Sequence, residues 1–191
     1  LLRKDTQGRP DRIVCASVQD WPRFPMRGVH LFLPARENLP FFKRFIRFLG
    51  RYKYNTMFLE IGGGMQYEKH PEINEGWERM AKEAASFPAS QSRMQDSAPG
   101  HKDSIHIELG GGSFLTKDEV REIIDCCQEN RVEIIPEVQS LSHSYYLLAN
   151  HRELAENPDD RWPDTYCPSK PETYELLFDV MQEVIDVFKP R

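Results

Sequence analysis

Val132-Glu133-Ile134-Ile135-Pro136-Glu137-Val138-Gln139-Ser140-Leu141-Ser142-His143-Ser144 is the most informative segment of this chain. Its first half is apolar and β-branched, the composition of a strand buried on both faces. Its second half turns polar, with Glu137, Gln139 and His143 just past the apolar run. In α/β proteins ligands bind at the carboxyl ends of parallel strands. Side chains alternate along a strand, so Glu137 and Gln139 share a face with Ile135. With that face turned into a barrel, both polar tips reach its mouth. The competing reading makes them ordinary polar groups at a strand end, capping the following helix.

Upstream, residues 26–33 read as a first core strand, ended by Pro34. Phe42, Phe45, Ile46, Leu49 and Tyr52 then recur at helical spacing behind Asn38, a good N-cap. Lys43, Arg44, Arg47 and Arg51 form the opposite, solvated face. Residues 55–61 are a second strand, running into Gly62-Gly63-Gly64. Glu60 is its only charge and sits at its carboxyl end, either as a ligand contact or as a solvated strand end.

Residues 62–113 are expected to be a long loop insertion with a helix at 75–86. His101 and His106 fall in it and receive no ligand role. Gly110-Gly111-Gly112 lacks the Gly-Lys-Ser/Thr of a phosphate loop. Thr116-Lys117-Asp118-Glu119 is a capping box, and Val120, Ile123, Ile124 and Cys127 form the buried stripe behind it. After His143 a helix is predicted over 145–156, then an aromatic loop with Trp162 and Tyr166, which either pack or stack on a sugar. Ser169-Lys170-Pro171-Glu172 reads as a second capping box. The last helix is expected to bury Tyr174, Leu177, Phe178, Met181, Val184, Ile185 and Phe188.

Strands alternating with helices imply a parallel sheet with right-handed crossovers. Closing a β/α barrel takes eight strands and about 250 residues. The fold class is therefore α/β: a partial (β/α)8 TIM barrel, the first three βα units plus an extra helix. Residues 1–25 are expected to be a linker or the tail of a preceding domain, and 26–191 the N-terminal part of the barrel. The chain opens on Leu1, so it is expected to be a piece of a longer polypeptide.

With 39% hydrophobic and 29% charged residues the chain reads as soluble and globular. A net charge of −5 argues against nucleic acid and against an anionic membrane surface as partners. No apolar run approaches the roughly 20 residues of a membrane span. Cys15, Cys126, Cys127 and Cys167 show neither a disulfide framework nor Cys-x-x-Cys spacing. No metal and no cofactor is assigned, and the compartment stays open.

Three motifs carry a resemblance. Arg23-Phe24-Pro25-Met26-Arg27-Gly28-Val29 resembles the opening of the catalytic barrel in family 20 glycoside hydrolases, the β-N-acetylhexosaminidases. Arg51-Tyr52-Lys53-Tyr54-Asn55-Thr56-Met57-Phe58-Leu59 is similar to that family's approach to the second strand. The segment 132–144 is similar to its third strand and the following histidine. The resemblance implies hydrolysis of terminal N-acetylhexosamine by substrate-assisted retaining catalysis, an exception to the two-carboxylate scheme. The sugar's 2-acetamido oxygen attacks its own anomeric carbon. An Asp-Glu pair steadies the acetamido group and protonates the leaving oxygen. In the family that pair ends the fourth strand, which is expected beyond the end of this chain.

By the same resemblance Arg27 binds sugar hydroxyls, and His143 supports catalysis near the scissile bond. Glu60, Glu137 and Gln139 complete the expected substrate contacts. The implied partner is an amino-sugar glycoside, and open barrel edges add an expectation of self-association. The chain departs from the family where Gln139 replaces an aspartate four residues before the histidine. It departs again where Phe32 replaces an aspartate late in the first strand, and where 58–63 replaces a His-x-His-Leu-x-Asp pattern. These departures keep alive a non-catalytic carbohydrate-binding relative as the alternative. An unrelated barrel enzyme, such as an aldolase or a metal-dependent hydrolase, would show a Schiff-base lysine or clustered metal ligands at its strand ends.

Overall fold

The computed structural model describes residues 17–85, 113–160 and 163–189. Three strands, β1 (Gly28–Phe32), β2 (Thr56–Glu60) and β3 (Glu133–Glu137), pair in parallel in that order. Parallel neighbours need long crossovers. Helix α1 (Leu39–Arg51) supplies the first, and α2 (Pro71–Ala85) with α3 (Lys117–Glu129) the second. The short α4 (Tyr145–Leu148) and the long α5 (Pro171–Phe188) follow β3.

The two faces of β2 have different tasks. Met57 and Leu59 are fully buried in one core with Ile46 and Leu49 of α1 and Val120 and Ile123 of α3. On the other face Phe58 lies level with His30 and Ile135, and Glu60 level with Phe32 and Glu137. Phe58 and Ile135 are only half-buried, because three strands cannot enclose the interior that eight would. Among the described residues β1 and β3 are the edge strands.

The Thr116 box forms as expected. Thr116 Oγ1 accepts from the Glu119 amide at 3.2 Å, and Glu119 accepts from the Thr116 amide at 2.7 Å. Arg36, just past β1, adds a two-pronged contact to Glu119 at 2.8 and 3.0 Å. That guanidinium holds the Glu119 carboxyl below its usual range. The other two caps differ from expectation. Asn38 has helical backbone angles, so its side chain caps nothing, and a 3-10 turn, Arg36–Asn38, leads into α1. Lys170 caps α5 without a side-chain bond, leaving Pro171 as the start signal.

The expected insertion 62–113 is a loop only in part, because its first part builds core. Gly62–Gly64 is a 3-10 turn, Met65 bridges to Leu115, and Met65, Tyr67 and Ile73 are buried. The organiser is Asn74, only 3% exposed. Its Oδ1 accepts from the Tyr67 amide, and its Nδ2 donates to the carbonyls of Gly63 and Met65. A Cβ on Gly63 would lie 2.8 Å from three Trp77 atoms, and Gly62 has a φ of +47°, so the turn requires both glycines. His101, His106, Gly110 to Gly112, Cys15 and Trp162 lie outside the described residues.

The helix expected over 145–156 is two pieces, α4 and a 3-10 turn at Arg152–Leu154. The break at His151 is held by Asn150, which donates to the Glu72 carbonyl and accepts from Arg79. Helix α5 buries Leu177, Val184 and Phe188 as expected and half-buries Met181, but its buried stripe is shifted to one side. Tyr174, Phe178 and Ile185 are exposed, while Leu176, Val180, Glu183 and Val187 are buried. Glu172, Glu175, Gln182 and Asp186 stay on the exposed side, whereas the acidic Glu183 is drawn inward and refines the rotation. Its carboxylate accepts from the amides of Glu68 and Lys69 at 2.9 Å and pairs with Lys117 at 2.7 Å. Burial alone would raise this carboxyl, but those donors outweigh it and hold it below its ordinary value of 4.5. None of the described helices is long and apolar enough to cross a membrane.

A depressed carboxyl stabilises the fold fully above its unfolded value and loses that contribution as pH falls through the folded one. Glu183→Gln should therefore cost about 3 kcal/mol in urea unfolding of the complete protein at neutral pH. The gap between wild type and variant should narrow below pH 4.5. A gap that stays constant with pH would show that Glu183 is not the latch.

Candidate functional site

The parallel register brings Phe32, Glu60 and Glu137 to one level at the carboxyl ends of the three strands. Alternation puts His30 on the same face as Phe32, one step deeper. From there His30 Nε2 lies 2.9 Å from Glu137 Oε2 and 3.6 Å from Glu60 Oε2. Glu60 forms the floor, its side chain 7% exposed, whereas His30 and Glu137 are open at 48% and 44%. Phe32 presents its ring edge-on to His30, with centroids 5.9 Å apart.

Two carboxylates and an imidazole on one spot can accept hydrogen bonds from a polyol, and the imidazole can also donate. The ligating atoms lie within 4.8 Å of one another, close enough to share a cation. Sequence reasoning named Glu60 and Glu137 but missed His30. The signal was available: a two-residue period from Phe32 points to His30, but only the register brings it to Glu137.

Two buried phenols brace the segments just beyond the strand ends. Tyr67 donates to the Gly62 carbonyl at 2.6 Å, and Tyr146 to the Gln139 carbonyl at 3.1 Å. Burial pushes both phenols well above their usual range, so they stay donors. The Gln139 side-chain oxygen is buried and accepts no hydrogen bond from the described residues. In particular it takes no proton from His143, so the aspartate-like tethering of that imidazole is not reproduced. His143 lies exposed on the loop after β3 with a φ of +57°, and Leu141 beside it has 73°. Such angles are uncommon outside glycine and mark a constrained loop. Cross-ties from the Ser144 amide to Asp164 and from the Tyr166 amide to Leu141 hold it.

Arg27 is a correction to the sequence reading. It immediately precedes β1, at the amino end of the sheet, away from Glu60 and Glu137. Its guanidinium donates to the carbonyls of Lys53, Phe24 and Pro25 at 2.5, 2.6 and 3.0 Å. Those bonds fasten the entry of β1 to the turn before β2, so Arg27 is a brace and not part of the rim. Tyr166 is buried and bridges to Ala155, which makes it a packing residue. Cys126 and Cys127 are buried free thiols, and burial pushes Cys127 up to about 12, far from a nucleophile's range.

A family profile described as glycosyl hydrolase family 20, catalytic domain, matches residues 24–191. A β-hexosaminidase of Akkermansia muciniphila is 28% identical over 198 residues, covering 98% of this chain and 36% of the relative. A β-hexosaminidase of Vibrio furnissii is 29% identical over 183 residues, covering 90% of this chain and 28% of the relative. Among solved structures, a GH20 β-N-acetylhexosaminidase from Streptomyces coelicolor superposes with a TM-score of 0.62 at 21% identity. That superposition covers 88% of this chain and 32% of the other. A β-N-acetylhexosaminidase from Bacteroides fragilis gives 0.61 at 19%, over 90% of this chain and 31% of that one. These likenesses establish the fold as that of the β/α barrel's first strands. The chain spans about a third of the length of the curated relatives it matches.

Arg27→Ala should lower the stability of the complete protein by about 1–2 kcal/mol, since several charge-assisted bonds at a half-buried position are lost. Chemical denaturation measures this. An unchanged midpoint would remove Arg27 as a brace.

Proposed function

The chain belongs to glycosyl hydrolase family 20, and from that membership we propose that the protein carrying it releases terminal N-acetylhexosamine by substrate-assisted hydrolysis. The observation that carries this reading is the trio His30, Glu60 and Glu137, gathered where β/α-barrel enzymes hold their substrates. In the proposed reaction the sugar's acetamido oxygen attacks the anomeric carbon as the glycosidic bond breaks. The leaving oxygen takes a proton from a carboxylic acid. The Asp-Glu pair this requires follows a fourth strand in the family, outside the sequence described, so this chain supplies binding rather than the acid.

Glu60 and Glu137 are proposed to accept hydrogen bonds from sugar hydroxyls. His30 between them sets which oxygens of the two carboxylates face the substrate. The unsatisfied Gln139 oxygen is a further acceptor for an O–H or N–H of the ligand, since an unpaired buried acceptor costs about 1–3 kcal/mol until it finds a donor. His143 is proposed to lie beside the leaving group from its constrained loop. Phe32 gives the rim an apolar patch where the family has a carboxylate.

The complete protein should hydrolyse an aryl N-acetyl-β-glucosaminide, with kcat/KM lowered about a hundredfold by Glu60→Gln and by His30→Ala. Binding of an acetamido-thiazoline mimic without any turnover would favour the non-catalytic carbohydrate binder. Neither binding nor turnover would reject both. The edge strands β1 and β3 also lead us to propose that the 191-residue segment, expressed by itself, self-associates. Sedimentation velocity should show species larger than the monomer, and a single sharp monomer boundary would reject this.

A further inference from the structure

Away from the rim, a cleft of about 630 Å³ opens between α5, the start of α2 and the 3-10 turn at Arg152–Leu154. His70 and His151 stand on its wall with Glu72 behind them. His70 Nδ1 lies 3.0 Å from Glu72 Oε1, and His151 Nε2 lies 3.1 Å from the same oxygen. The three ligating atoms fall within 4.8 Å of one another. Ligand atoms bound at zinc distances around a tetrahedron sit roughly 3.3 Å apart. A small outward shift of each side chain would therefore admit an ion.

The other nitrogen of each ring is also provided for. His70 Nε2 lies 3.3 Å from Asp179 Oδ2, and His151 Nδ1 lies 3.4 Å from Glu153 Oε1. A carboxylate behind the second nitrogen is how ligating histidines are oriented and made more basic. The backbone is fixed as well, since Asn150 next to His151 donates to the Glu72 carbonyl. All three side chains are partly exposed, at 22%, 33% and 24%, which leaves a coordination position open to the cleft. Glu153, Glu172, Glu175 and Asp179 line that cleft against Lys170, with Lys69 paired to Asp179 at 2.5 Å, so carboxylates still outnumber ammonium groups there and the field favours a cation.

We propose that His70, Glu72 and His151 bind a divalent transition-metal ion of the zinc type, with Asp179 and Glu153 orienting the two imidazoles. Two nitrogens and one carboxylate suit zinc, whereas calcium takes six to eight oxygens. The ion joins three stretches far apart in sequence: the segment after β2, the turn after α4 and, through Asp179, helix α5. It shares no residue with His30, Glu60 and Glu137. Without an ion, the same contacts amount to a hydrogen-bond network around Glu72, and experiment separates the two states.

Chelator-treated complete protein should take up one equivalent of Zn²⁺ in calorimetry, and Co²⁺ should give the visible absorption of a tetrahedral site. His70→Ala combined with His151→Ala should lose that equivalent and that absorption. Asp179→Asn should keep the stoichiometry and weaken affinity about 10- to 100-fold. Circular dichroism verifies folding, and if the double variant unfolds, His151→Gln alone makes the comparison with at least a tenfold loss. Absence of saturable uptake by the wild type overturns the proposal. So does uptake that persists undiminished in a folded histidine variant, which would place the ion elsewhere.

Discussion

The parallel pairing of β1, β2 and β3 without offset is the constraint on which the rest depends. Phe32 aligns with Glu60 and Glu60 with Glu137, so three strands end level. A slip of one residue in any strand would turn its inward set outward. Glu60 would then lie among the helices, where an unpaired carboxylate is costly. The buried contacts of Met57 and Leu59 on the opposite face forbid that slip, so the helix-side core holds the rim in register.

Polar groups do the second half of this work, behind the rim. Asn74, Glu183, Tyr67 and Tyr146 are all buried, and each bonds to backbone of the connecting segments, Glu183 also to the Lys117 ammonium. Burying such groups is unfavourable unless their partners are complete. Here they are, which turns a burial cost into positional specificity for the loops after β2 and β3. Just past β3, the Gln139 side-chain oxygen is the one buried side-chain acceptor left unsatisfied among the described residues.

Membership in glycosyl hydrolase family 20 gives this geometry a context, and the departures from the family's motifs then carry meaning. At the level of Phe32, Glu60 and Glu137 supply two carboxylates from the neighbouring strands. Under the proposed function, an apolar Phe32 beside these two carboxylates bears on which sugar hydroxyls the rim meets, a route to altered sugar preference.

The amino-acid sequence by itself determined the local features. Apolar runs marked all three strands, Thr116 with Glu119 marked the start of α3, and strand-helix alternation implied the parallel sheet. Glu60 and Glu137 were legible because each ends an apolar run, a signal contained within a few residues. What joins distant residues was decided by tertiary structure. His30 and Glu137 are 107 positions apart and meet only through the register. Arg27 carried a motif that suggested binding, yet it sits at the amino end of its strand and spends its guanidinium on carbonyls. The exact face of α5 was decided by backbone amides 115 and 114 residues upstream of Glu183, which draw this one carboxylate inward while Glu172, Glu175, Gln182 and Asp186 stay exposed. Periodicity and capping are short-range and survive in one dimension. Convergence of charge depends on which strand lies beside which, and that is settled only when the core closes.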